Sequence, residues 1–90
     1  MNIKLNKYYL NSATEEEIID IIKENYGNLD PQYLEYVDYE EEDSNKYYTV
    51  EYLKEPICII SVLFREEQPQ YLVIYQKISK YNEKENIKIN

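Results

Sequence analysis

Carboxylates are the reactive groups this chain concentrates. Twelve of its eighteen lie between Thr14 and Asp43 with Lys23 as the only cation there, so that stretch carries a net −11 while the whole chain carries −8. Three chemistries use carboxylates at such density: binding of a hard cation, acid and base catalysis, and electrostatic recognition of a basic partner. The run Asp38-Tyr39-Glu40-Glu41-Glu42-Asp43 offers oxygens to a cation such as calcium. An EF-hand loop, however, needs glycine at its sixth position and glutamate at its twelfth, and counting from Asp38 these are Asp43 and Thr49. Acid and base work needs two carboxyls in one pocket, which adjacency along the chain does not supply. Recognition fits the pattern best. On an extended strand, carboxylates two apart stand about 6.6 to 6.8 Å apart, comparable to steps along a nucleic-acid backbone. Glu40 with Glu42, or Glu41 with Asp43, can then imitate successive phosphates. A solvated acidic face that merely keeps the protein soluble is the competing reading.

Other catalytic groups are scarce. Histidine is absent, which removes the commonest general base and metal ligand. Gly27 is the only glycine, so neither a phosphate-cradling loop nor a dinucleotide fingerprint can be built. Cys58 lies in the apolar run Ile57 to Phe64 and reads as a reduced, buried thiol, which fits a cytoplasmic setting and excludes an intrachain disulfide framework. No enzymatic activity, cofactor or metal is expected. The cations outside the acidic stretch are scattered and include a single arginine, which disfavours direct nucleic-acid binding. Neither a signal peptide nor a stretch of eighteen apolar residues is present, so no membrane contact is expected.

The elements that must position these groups are legible in part. Ninety residues make one domain with a modest core, read here as residues 1–78 with a polar tail over 79–90. Ile3 and Leu5 alternate with polar neighbours and predict a first strand ending at Asn11-Ser12. Two overlapping capping boxes, Ser12 with Glu15 and Thr14 with Glu17, start a helix whose apolar stripe is Ile18, Ile19, Ile21, Ile22 and Tyr26. Gly27 closes it in a left-handed C′ position. On its outer side Glu16, Asp20 and Glu24 make a second negative row.

Asp30 before Pro31 can cap a short second helix, and Tyr33 to Glu42 suits either a strand or a helical stripe. Its tyrosine density selects the strand, with Tyr33, Glu35, Val37 and Tyr39 on one face. Lys46 to Leu53 alternates with Tyr48, Val50 and Tyr52 on one side, and the pair reads as a hairpin. Ile57 to Phe64 is apolar on both faces, as in a central strand, and Tyr71 to Ile78 closes the sheet. The predicted fold is therefore α+β: an N-terminal strand and one helix packed on an antiparallel sheet of about four to five strands.

Six tyrosines, Tyr33, Tyr36, Tyr39, Tyr47, Tyr48 and Tyr52, flank the acidic connection and cannot all face a core. Exposed tyrosine beside carboxylate is the composition of a protein-binding hot spot. The expected partner-binding residues are Glu35, Tyr36, Asp38, Tyr39, Glu40, Glu41, Glu42 and Asp43, joined by Glu16 and Asp20 from the helix.

In size, polarity and lack of catalytic residues the chain resembles the small acidic inhibitors that viruses make against host defence nucleases, anti-CRISPR proteins included. The segment Asn25-Tyr26-Gly27-Asn28-Leu29-Asp30 is similar to one in the barstar family of acidic nuclease inhibitors, although the predicted hairpins differ from that family's parallel sheet. The resemblance implies an inhibitor in the host cytoplasm whose partner is a basic protein surface on a nuclease or nucleic-acid-binding complex. The alternatives are a tyrosine-rich scaffold that pairs through its strands, as in a homodimer, and a small-molecule sponge with a pocket between helix and sheet.

Overall fold

A computed structural model of the chain describes residues 5–66 and 70–78. Its elements run β1 (Leu5–Leu10), α1 (Glu15–Tyr26), a single 3₁₀ turn (Pro31–Tyr33), β2 (Leu34–Glu42), β3 (Asn45–Tyr52), β4 (Glu55–Arg65) and β5 (Gln70–Lys77). The five strands form one antiparallel sheet in the order β1-β5-β4-β3-β2. This is the α+β arrangement expected, with a four-strand meander completed by the N-terminal strand at one edge.

Of the two capping boxes, Thr14 with Glu17 forms. The Glu17 N–H donates to Thr14 Oγ1 at 3.3 Å, and the Thr14 N–H donates to Glu17 Oε1 at 3.1 Å. The predicted Ser12 box does not form, because Ser12 Oγ donates to Glu17 instead. These bonds hold the Glu17 carboxyl below its ordinary range, with the backbone N–H of Thr14 as the main cause. Gly27 departs from the expected left-handed cap. At φ 111° and ψ −168° it occupies a region open almost only to glycine, while its N–H still donates to the Lys23 carbonyl. The predicted second helix shrinks to the one 3₁₀ turn, capped by Asp30.

Helix α1 lays Ile18, Ile21 and Ile22 against one face of the sheet, where Val50, Cys58, Ile60, Val62, Val73 and Tyr75 complete the core. Ile19, one position off the stripe, is only half-buried. Ile57 joins the core because a bulge between Val50 and Glu51 adds one residue to β4 at that level. The second face of the sheet carries the alternate side chains, Ile59, Leu63, Leu72 and Ile74 among them, and no described element packs on it. The predicted tail 79–90 and the expected start of β1 at Ile3 lie outside the described residues.

Candidate partner-binding edge

Strand β2 is the edge opposite β1, so one row of its backbone N–H and C=O groups has no partner among the described strands. Its sequence has four glutamates and one aspartate with no cation, and the turn beyond it adds Asp43. Pairing with β3 is regular from Leu34↔Tyr52 to Val37↔Thr49 and resumes at Glu40↔Tyr47, so Asp38 and Tyr39 together oppose Tyr48. Asp38 makes this bulge possible by taking φ 53°, a left-handed conformation that aspartate tolerates better than most L-residues.

The bulge overturns the expected face assignment. Tyr33, Glu35, Val37 and Tyr39 do not share one side, because the extra residue brings Tyr39 round to the helix side with Tyr36. There the two rings bracket Tyr48. Tyr36 meets it edge-on, with centroids 5.2 Å apart and planes at 83°, and Tyr39 stacks at 6.4 Å and 29°. The Tyr39 hydroxyl donates to Glu41 Oε1 at 3.0 Å. Beyond the bulge, Glu40 and Glu42 pair with Tyr47 and Asn45, and Glu41 pairs with Lys46. Asp43 (φ 52°) and Ser44 (φ 69°) form the two-residue turn.

The three tyrosines floor a groove of about 400 Å³ between the start of α1 and the β2 edge, closed by Ala13, Ile18 and Val62 with Glu15 and Lys46 at its sides. Loss of hydration raises the Tyr48 and Tyr36 hydroxyls above the ordinary tyrosine range, and the nearby Glu15 carboxylate adds to both shifts. Neutral phenols therefore face this groove at physiological pH.

The structure brings Glu35, Tyr36, Asp38, Tyr39, Glu40, Glu41, Glu42 and Asp43 onto one edge, all exposed. Lys54 Nζ donates to Glu35 Oε2 at 2.9 Å, and the Glu35 hydrogen bond raises the Lys54 pKa. None of the other five carboxylates forms an ion pair with a described cation. Glu16 and Asp20 stand exposed on the helix, and no contact links them to the strand. The helix residue that reaches the edge is Glu15, and sequence reasoning passed over it. Its signal was available: Glu15 precedes Ile18 by three and Ile22 by seven, the spacing of the buried stripe.

Among the described residues, no group of three or more Cys, Asp or Glu side chains is arranged to hold a metal ion. No described helix is long and apolar enough to cross a membrane. No protein-family model, curated protein or solved structure matches this chain.

Proposed function

We propose that this chain is a small acidic binding protein, without catalysis of its own, that occludes a basic nucleic-acid-binding surface on a host defence nuclease or its complex, in the manner of anti-CRISPR inhibitors. The observation that carries this reading is the β2 edge with its turn. Six exposed carboxylates lie along a strand edge that no described strand covers, five of them without an ion pair to a described cation. Such an edge presents a negative row at strand spacing, and its field steers it to a lysine- and arginine-lined channel. Tyr36 and Tyr39 add contact area with little side-chain entropy to lose, in the place where an interface concentrates its energy.

The test is capture from the host's lysate at two ionic strengths, followed by a nuclease assay with the retained complex. Changing Glu40, Glu41 and Glu42 to Gln and Asp43 to Asn is expected to weaken binding at least about tenfold and to flatten its salt dependence, since charged contacts set both. Unchanged affinity and salt slope in that variant would remove the proposal.

A further inference from the structure

We infer that the face of the sheet on which no described element packs is an interface with a second copy of this chain, stacked face to face about a two-fold axis parallel to β4. Two observations lead there. The face is apolar at its centre, where Ile59, Leu63, Leu72 and Ile74 stand side by side, and Leu5 and Tyr9 at its β1 side are 46% and 54% exposed. Its acidic groups also gather on the β2–β3 side, where Glu35 and Glu51 stand with Glu40 and Glu42, while its cations are Lys7 on β1 and Arg65 on β4, over the Tyr9 ring. Lys7 faces outward from β1, while Glu40 and Glu42 face outward from β2.

The register makes this division self-complementary. Following the pairing across all five strands, one row reads Leu5, Gln76, Ile59, Thr49, Val37, and the next reads Lys7, Ile74, Ser61, Tyr47, Glu40. β4 is the middle strand, so rotation about an axis along it lays each row over its own reverse. In the first row Leu5 meets Val37, Gln76 meets Thr49 and Ile59 meets itself. In the second Lys7 meets Glu40, Ile74 meets Tyr47 and Ser61 meets itself. In these two rows apolar groups meet apolar groups, polar meet polar, and Lys7 meets a carboxylate, whereas in the next row, Tyr9, Leu72, Leu63, Asn45 and Glu42, Tyr9 meets Glu42 and Leu72 meets Asn45. An axis across the strands would instead lay Glu40 over Glu40 and Lys7 over Lys7, so charge selects the first arrangement.

Aligned sheets pack about 10 Å apart and offset by about 30°, which displaces strands two places from the axis by about 5 Å, within the reach of a lysine side chain. Five strands about 4.8 Å apart, each contributing some seven residues, give a plan area on the order of 500 Å² per copy, or about 1,000 Å² for the pair, the lower bound for a specific interface. The stacked copies leave Tyr36, Tyr39 and Glu41 on the outside but draw Glu40 against Lys7, so the dimer and an external partner share that one carboxylate, and the Lys7 exchange tests the dimer alone.

Sedimentation velocity of the full chain at about 0.15 M salt, where the repulsion between two acidic copies is screened, tests this directly. A concentration-dependent dimer is expected in the micromolar range. Lys7→Glu or Glu40→Lys alone should weaken it about tenfold, because each change falls twice in a two-fold interface, and the two together should restore most of the affinity. Ile59→Lys, which sets two ammonium groups on the axis, should leave a folded monomer by circular dichroism. A monomer at every concentration, or a dimer indifferent to the charge exchange, would overturn the inference. Both charge positions are at the surface, so the exchange remains decisive if Ile59→Lys fails to fold.

Discussion

Cys58 and Tyr75 meet at the centre of the core, and their polar atoms have few partners. The Tyr75 hydroxyl is buried with no described oxygen or nitrogen bonded to it, and foremost among its polar neighbours is the Cys58 thiol, a weak donor. Burial pushes that thiol up to about 12, against about 8.5 for a free cysteine. The folded state thus keeps the proton to higher pH than the unfolded state does. Stability from this group is complete below about pH 8.5 and is lost as pH rises towards 12, at about 1.4 kcal/mol per unit. Denaturant titrations at pH 7, 9 and 10 should show a midpoint that falls across that range. Most tyrosines of the unfolded chain titrate later, near about pH 10, so Cys58→Ala should be less stable at pH 7 yet lose most of this early decline.

Among the elements, both described two-residue hairpin turns are built from residues poorly suited to them. Asp43-Ser44 and Leu53-Lys54 all have φ between 52° and 71°, the twist that suits a hairpin and that Asn-Gly supplies with least strain. The chain's only glycine ends the helix, so L-residues carry the left-handed strain, each at a penalty of about 1 kcal/mol. Replacing Leu53 by Asn together with Lys54 by Gly is expected to stabilise the protein by about 1 to 2 kcal/mol in a denaturant titration. The lost Lys54–Glu35 pair is too exposed to offset that gain, with side chains 79% and 46% accessible.

The same elements show what can be read from residues alone. Thr14 with Glu17, the isoleucine stripe apart from Ile19, the two-sided apolar run of β4 and the alternation of Tyr48, Val50 and Tyr52 each depend on neighbours a few positions away, and each formed as local pattern implies. The bulge at Asp38 did not announce itself, since no glycine marks it and the alternation of Tyr33, Glu35, Val37 and Tyr39 runs through it unbroken. Its origin is tertiary: the extra residue turns Tyr39 onto Tyr48. The acidic edge was legible as a cluster, whereas the groove beside it needed the packing of α1 to place Glu15.

Taken whole, the molecule is a sheet whose two edges differ in charge. β2 and its turn carry six carboxylates, while β1 carries Lys7 and no anion. Such an edge also guards against strand-to-strand aggregation, since two β2 edges repel one another. It strains the folded protein in return, because Glu40 to Asp43 are held close together. Raising sodium chloride from about 10 to about 200 mM should therefore raise the melting temperature, and neutralising those four residues should remove most of that rise in a calorimetric scan.

The order of the strands has one more consequence, for how the molecule is made. Among the described strands Leu5 to Leu10 pairs only with Gln70 to Lys77, so the first of them to leave the ribosome stays without its sheet neighbour until the last has emerged. Helix α1 and the β2–β3 hairpin can form during synthesis from nearby residues, but closing the sheet must wait for synthesis to pass Lys77. A nascent chain stalled short of that point would hold Leu5 and Tyr9 on a strand with nothing to pair against.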